Sequence, residues 1–427
     1  MPQRLVLYGL CCTNPSTVVL VKNAPTSRHL VLPMPHNPVL FDVLQDRLRQ
    51  APQGRITFAD FMDLALYDPA GGYYTTQVAA VGPQGDFVTS PHLSRDFGEL
   101  LAVQLSELWH HLGQPEPFTL VEMGAGQGIM AADVLAYLQS QFQDCFAVLD
   151  YRIVEKSPVL RHIQRKRLEA WADRVTWCDW TDLAADSVTG CFFSNELVDA
   201  LPVHQVILTE TGLQEIYVTL DEESGTPKEV IGPLSTPRLG EYFDLVGVDW
   251  ARGYPVGYRT EAHLAALDWI ATVARVLNRG YLLTIDYGYP ADRYYNPQRA
   301  QGTLQGYYQH AHHNDPYRHL GHQDITAHVN FTALERQGAP CGLSTLDLTQ
   351  QAIFLMALGL GDRLADLAKI QSTDPAIVNQ AIQRRDQIHQ LMNPMGLGNF
   401  WVLLQGKNLA PEIVAQPIRG FTIPPLG

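Results

Sequence analysis

The sequence predicts an α/β protein whose core is a doubly wound, largely parallel sheet preceded by a helical segment. Between about residues 95 and 290, short apolar runs bounded by turn residues alternate with longer segments of helical period, as in a succession of βαβ units. One of these runs, 119–123, passes straight into a glycine-rich turn and then a helix-period stretch. At 427 residues, with 46% hydrophobic and 17% charged residues, the chain has an ordinary globular balance. At ~100–200 residues per domain it accommodates two or three domains, or one large domain with insertions.

Residues 57–112 read as mostly helical. After strand 119–123 comes a helix over 129–142, with apolar Ala132, Leu135, Tyr137 and Leu138. Strand 151–154 precedes a helix whose first turn tolerates Pro158, and further strands fall at 174–178, 190–193 and 281–285. Residues 205–260 form an insertion in which 214–220 and 228–231 suggest a hairpin, followed by a helix over 261–277. Residues 289–327, rich in Tyr, His, Gly and Pro, read as a long loop on the substrate side; loops of that length are usually functional. A helix at 331–337, a strand at 343–348, helices over 350–391 and a closing strand at 400–404 complete the pattern. The chain thus divides into an extension, 1–44, of unassigned role; a helical segment, 45–112; a core at 113–288 and 328–407 with insertions at 205–260 and 350–395; and a tail, 408–427.

Thirty Lys+Arg against 44 Asp+Glu give a formal charge of −14. This argues against a nucleic-acid binder, which needs a cationic face, and fits a neutral or cationic ligand. The six cysteines (Cys11, Cys12, Cys145, Cys178, Cys191 and Cys341) include no C-x-x-C pair, so reduced thiols in a cytoplasmic protein are expected. No apolar run approaches the ~18–20 residues of a membrane span. Arg4 followed by the apolar run 5–12 faintly imitates a secretory signal, but no A-x-A pattern follows, and export is not expected. A homodimer is compatible with the sequence.

The most specific local signal is Val121-Glu122-Met123-Gly124-Ala125-Gly126-Gln127-Gly128. A dinucleotide fingerprint requires G-x-G-x-x-G, and the last position here is Ile129. The E-x-G-x-G-x-G spacing is instead that of class I S-adenosylmethionine-dependent methyltransferases. Gly124, Gly126 and Gly128 would let a ligand approach the main chain closely. Glu122, Glu155 and Asp179 sit at the carboxyl ends of consecutive predicted strands, the edge at which open α/β sheets bind ligands. Glu155 is placed to accept two ribose hydroxyls and Asp179 an adenine amino group, with Trp180 offering a face to the adenine ring.

Longer strings carry a resemblance: Ile56-Thr57-Phe58-Ala59-Asp60-Phe61-Met62, Tyr67-Asp68-Pro69, Gly72-Tyr73-Tyr74, Gly85-Asp86-Phe87-Val88-Thr89-Ser90-Pro91 and Phe97-Gly98 before the glycine loop. After it come Asn195-Glu196-Leu197-Val198-Asp199-Ala200-Leu201-Pro202, Ile285-Asp286-Tyr287-Gly288, Gly302-Thr303-Leu304 and the run from Gln323 to Thr332. Over about residues 45–407 the chain resembles the MidA family, which includes the mitochondrial complex I assembly factor 7 methyltransferases and bacterial relatives. The resemblance implies a seven-stranded class I methyltransferase (Rossmann-like) fold, S-adenosyl-L-methionine as cofactor, and symmetric dimethylation of a protein arginine in a complex I subunit. The chain departs from the family at Ala125, often proline there, and at Asn330, often aspartate.

Arginine is too basic to deprotonate freely, so carboxylates must clamp and polarise it. Glu196 is similar to the first acid of the paired-glutamate loop of arginine methyltransferases. Gln205 stands where the second acid is expected, which leaves Asp199 as the nearest substitute. Asn195 is placed to orient an amine or the methionine end of the cofactor, and His328 is a candidate general base. His310, His312, His313, His319, His322 and His328 crowd residues 310–328 without ligand spacing, so no metal site is expected. Tyr287, Tyr289, Tyr294, Tyr295, Tyr307 and Tyr308 are expected to pack a lid, one or two of them facing the ligand. Asp86, Phe87, Thr89 and Ser90 either close over the cofactor or form a turn. A small-molecule N- or O-methyltransferase of this fold and a non-catalytic cofactor-binding assembly factor are the competing readings.

Overall fold

The computed structural model describes residues 36–76, 89–309 and 311–422. Most of the N-terminal extension, together with Cys11, Cys12, Asp86, Phe87 and His310, lies outside the described residues. The central sheet has seven strands: β1 (Phe118–Met123), β2 (Leu149–Val154), β3 (Val175–Cys178), β4 (Val188–Asn195), β5 (Leu277–Asp286), β6 (Ser344–Gln350) and β7 (Trp401–Lys407). They lie in the order β6-β7-β5-β4-β1-β2-β3. Neighbours from β5 through to β3 are parallel, whereas β7 is antiparallel to both β5 and β6. The reversal follows from the connection: the helical excursion that starts at Gln351 returns to the same sheet edge, where Gln351 N donates to Phe400 O at 2.8 Å. A strand entering from that edge has to run back.

Both faces of the sheet are covered, so its central strands read as continuous apolar runs rather than alternating ones. Adjacent residues nevertheless point to opposite sides. Leu120, Phe193, Leu283 and Leu404 join one core with the helices Arg95–His111, Ile129–Gln141 and Gln351–Leu358. Val121, Phe192, Leu282 and Leu403 join the other with Leu264–Val276 and Phe331–Gly338. Asn330 caps the second of these helices, its Oδ1 accepting from Ala333 N at 3.2 Å, while its amide donates to the hydroxyls of Tyr242 and Tyr295. An ionised aspartate could not donate these last two bonds; the tyrosine hydroxyls would have to turn and donate to it.

An accessory layer covers the carboxyl edge. The insertion after β4 forms His204–Thr209, Gly212–Leu220, Pro227–Gly232 and Arg259–Ala262, joined by Ile56–Thr57 in a second sheet of five strands. The 214–231 hairpin is therefore present, as two arms of that sheet. Thr57 and Asp60 form a capping box that starts the Phe58–Tyr67 helix, a physical reason for the string around them. Phe58, Phe61 and Met62 then pack with Val203, Val218, Leu320 and Ile325, uniting the helical segment with both insertions.

Two expectations are corrected. The first described helix runs Pro38–Gln50 with Asn37 as its cap, so the division at 44/45 cuts through it. The 289–327 segment is not one loop: Gln305–Tyr308, Ala311–His313 and Asp324–Thr326 make a three-stranded sheet. Strands this short, rich in Gly, His and Tyr, give no alternation for a sequence pattern to register. The 408–422 part of the tail folds back, with Gly420 N donating to Gln104 Oε1 at 2.9 Å and Phe421 against Phe354 at 5.4 Å.

Candidate active site

Strand order reverses between β1 and β4, and at such a switch point the crevice outside the carboxyl ends receives ligands. A cavity of ≈ 950 Å³ opens there, lined by Glu122, the Gly124–Gly126 turn, Asn195 and Glu196 among others. Gly124, Gly126 and Gly128 have φ of 70°, 52° and 75°, a region costly to residues bearing a Cβ. A Cβ on Gly124 would also stand 2.8 Å from Leu197 Cδ1, whereas at Gly126 nothing lies within 4 Å. The turn is tied down by Gly124 N donating to Val154 O at 3.0 Å and Gln164 Nε2 donating to Gly126 O at 2.8 Å. Ala125, in place of the family's frequent proline, packs into the core beneath.

The three predicted cofactor acids come together along this edge, each already engaged with the protein. Glu122 is fully buried and accepts from the Tyr151 hydroxyl. Burial pushes its carboxyl up to about 7, and its Oε1 has no hydrogen-bond partner among the described residues. Glu155 accepts from Ser157 N at 2.9 Å and Gln164 Nε2 at 3.1 Å. Burial outweighs these bonds and a further one from the Lys156 N–H, and raises its carboxyl. A carboxylate with about four acceptor positions keeps capacity for a ribose hydroxyl. Asp179, in contrast, is largely exposed, caps the short turn Trp180–Asp182 and is ion-paired with Arg161. Trp180 lines the cavity and stacks on Phe192 at 6.2 Å. A bent glycine turn, an unpartnered buried carboxylate oxygen and a second acid with spare acceptor capacity fit S-adenosylmethionine.

The acids after β4 and β5 behave differently. Glu196 follows β4 with φ of 51°, an uncommon value for a side-chain-bearing residue and one that concentrates at functional sites. Its Oε1 accepts from Asn195 Nδ2 at 3.0 Å and Ser90 N at 3.3 Å. Burial, then the negative charge of Asp199, outweighs those bonds and pushes the carboxyl up to about 8, with Asp324 adding to the effect. Burial likewise lifts Asp199 to about 6 against a hydrogen bond from Tyr287. Behind them lies Asp286 at the end of β5, fully buried. It accepts from the backbone N–H of Val198 at 2.9 Å, of Asp199 at 3.3 Å and of Tyr287 at 2.9 Å, and so holds the acidic loop in place. Burial and the charges of Asp199 and Glu196 raise it well above the carboxylate range.

Tyr67, Tyr74, Tyr287, Tyr289, Tyr307 and His328 complete the wall. Of the expected lid tyrosines, Tyr294 and Tyr295 instead belong to a buried network with Glu261 and Tyr242. His328 stacks on Tyr289 at 5.1 Å, and burial lowers it to about 4. Among the described residues, no group of three or more His, Cys, Asp or Glu is arranged to hold a metal ion. Asp286, Asp324, Tyr67 and Tyr74 all lie inside strings quoted for the family resemblance, but nothing local marks them as neighbours of Glu196. Gln205 is drawn away: it pairs within the five-stranded sheet and accepts from Arg259 at 2.9 Å.

Fold and glycine turn together define a class I S-adenosylmethionine-dependent methyltransferase. The family model for S-adenosyl-L-methionine-dependent methyltransferases matches residues 100–349. The human mitochondrial protein arginine methyltransferase NDUFAF7 is 31% identical over 382 residues, 83% of this chain and 81% of the relative. The rat protein of the same name is 30% identical over 388 residues, with 83% and 82% covered. A Burkholderia thailandensis protein, described as a candidate methyl transferase and solved with S-adenosyl-homocysteine bound, superposes with a TM-score of 0.79. It is 32% identical, with 92% of this chain and 98% of that one covered. The chain belongs to the MidA family of methyltransferases. Among the described residues, no helix is long and apolar enough to cross a membrane.

Proposed function

We propose that this methyltransferase acts on a protein arginine. The observation that carries the reading is the charge of the cavity. Among the described residues, seven carboxylate side chains line it (Asp63, Glu122, Glu155, Asp179, Glu196, Asp199 and Asp324) against a single lysine, Lys156, and no arginine. Lys156 is paired with Asp63 at 3.2 Å. Buried like charges are relieved by a cationic occupant, and a guanidinium offers five N–H donors in a plane. Relatives named protein arginine methyltransferase support the same substrate class. Symmetric dimethylation, and a subunit of complex I as target, rest on the family resemblance.

When bound, S-adenosylmethionine supplies an electrophilic methyl group. Gly124 and Gly126 would allow its close approach, and Glu122, Glu155 and Trp180 would hold its nucleoside. Glu196, with Asp199 beside it, binds the guanidinium and draws positive charge toward one nitrogen, leaving another to attack. Asn195 and Ser90 orient the Glu196 carboxylate, and Asp286 fixes the loop that carries it. Holding the two reactants in register supplies much of the rate, with effective molarities of ~10⁵–10⁸ M in well-oriented systems. For the proton released after transfer, Glu196, near 8, matches neutral pH better than His328, near 4, because an efficient base titrates close to the working pH. His328 is thereby assigned to the wall.

Incubation with methyl-labelled S-adenosylmethionine and cell extract, followed by mass-spectrometric mapping, tests the reading. The expected result is label on arginine side chains of one or a few proteins. Label confined to small molecules would overturn it in favour of a small-molecule methyltransferase, and no label at all would favour a binding-only factor.

A further inference from the structure

We propose that Asp324, on the substrate-side insertion, is the second carboxylate of the substrate clamp, taking the place of the acid missing from the loop after β4. The inference rests on the arginine reading. One carboxylate engages a guanidinium through at most two parallel N–H bonds, which leaves three of its five donors to be met by other groups. The residue at the expected second position, Gln205, is neutral and committed to the accessory sheet through Arg259. Asp199, the substitute expected from the sequence, is already engaged by Tyr287, so a further acid for the remaining donors has to arrive from elsewhere in the fold.

Asp324 arrives from the Asp324–Thr326 strand, which pairs with Gln305–Tyr308. Two connections lock that strand to the acidic loop. Ala327 N donates to Asp199 O at 3.0 Å, and the Tyr287 side chain is hydrogen-bonded to both Asp199 and Thr326. Asp324 is 2% exposed and lines the same cavity as Glu196 and Asp199. Its Oδ1 accepts from the Tyr74 hydroxyl at 3.0 Å, and its charge acts on Glu196 and Tyr307. Nothing in the strand pairing calls for a carboxylate, and a neutral amide could accept the same tyrosine bond. A buried acid facing other acids is costly to the fold, and its chemistry suits a planar cation held between Glu196 and the insertion. Asp324 would then favour arginine over lysine, whose ammonium is a point charge without a fixed fork.

The test uses the full chain and a peptide spanning the arginine found by label mapping, with Kd read in saturating S-adenosylhomocysteine and KM and kcat read in S-adenosylmethionine without it. With Asp324→Asn, peptide Kd and KM rise about 10–100-fold, as expected for loss of one charge-assisted contact. The kcat changes less, and S-adenosylhomocysteine affinity is retained within about twofold. Tyr74→Phe, which keeps the charge but removes one bond that orients the carboxylate, raises KM about threefold to tenfold. Wild-type-like peptide affinity and KM in Asp324→Asn would overturn the proposal while leaving the arginine reading in place. Should Asp324→Asn fail to bind S-adenosylhomocysteine, Tyr74→Phe decides: an unchanged KM overturns the proposal. An arginine-free label map would instead have removed the reading on which it rests.

Discussion

The two halves of the cavity use carboxylates in opposite ways. On the β1–β3 side each acid is answered by a donor of the protein: Glu122 by Tyr151, Glu155 by Ser157 and Gln164, Asp179 by Arg161. On the β4–β5 side burial raises Glu196, Asp199 and Asp286, and the charges of Asp199 and Asp324 act on Glu196 and those of Asp199 and Glu196 on Asp286, against bonds from backbone N–H groups, an amide and a tyrosine. The first arrangement suits a ligand that needs neutral hydrogen bonds and a bent main chain. The second holds carboxyls whose ionisation is disfavoured by burial and by one another, and a cation is what favours their ionised form. Cofactor half and substrate half are thus distinguished by how far their acids act on one another, not by how many acids there are.

That contrast predicts separable defects. The largest belongs to Glu196→Gln, which removes the charge that polarises the guanidinium. Its kcat/KM for an arginine substrate falls about 10²–10³-fold, while S-adenosylhomocysteine affinity measured by calorimetry stays near wild type. Loss of both together would merge the two halves. Gly124→Ala acts on the other side: a left-handed dihedral costs about 1–2 kcal/mol for a residue with a Cβ, so cofactor affinity drops about 5–30-fold. An unchanged affinity would mean that the turn does not shape the cofactor site.

Asp199→Asn tests how the substrate half is held at charge. The amide oxygen still accepts from Tyr287, but one negative neighbour of Glu196 disappears. Glu196 must be ionised to bind the cation, so kcat/KM rises with pH toward a plateau above about 8 in the wild type. Removing a like charge makes ionisation easier, and the midpoint moves down by on the order of one pH unit. A midpoint that stays or moves up contradicts the coupling. The smallest effect is expected for Asp179→Asn. Its side chain is 61% exposed and already paired with Arg161, so cofactor affinity falls less than about threefold; a tenfold loss would make it a main cofactor contact.

The same contrast explains what sequence alone conveys. The cofactor half was legible because its parts are contiguous: a buried strand, three glycines in left-handed geometry and the start of a helix occupy residues 118–129. Acids at strand ends were legible for Glu155 and Asp179 because strand periodicity fixes where the ends fall. The substrate half is assembled across sequence. Asp286 reaches Val198 over 88 positions and Tyr74 reaches Asp324 over 250, distances at which no local pattern carries information. The same holds for Gln205, whose neutral side chain was visible but whose withdrawal into a second sheet was not. Asn37 and Pro38 did carry a cap-and-proline signal for the first described helix, which the division at 44/45 passed over.

The central claim is that a positive, planar side chain is what the acidic half binds. It is tested most directly by titrating the S-adenosylhomocysteine-saturated protein with two peptides that differ only in arginine or citrulline at the labelled position. Citrulline keeps the shape of the side chain and lacks its charge. The arginine peptide should bind at least about tenfold more tightly, an advantage that at each pH disappears in Glu196→Gln combined with Asp324→Asn. Equal binding of the two peptides to the wild-type protein would contradict the account.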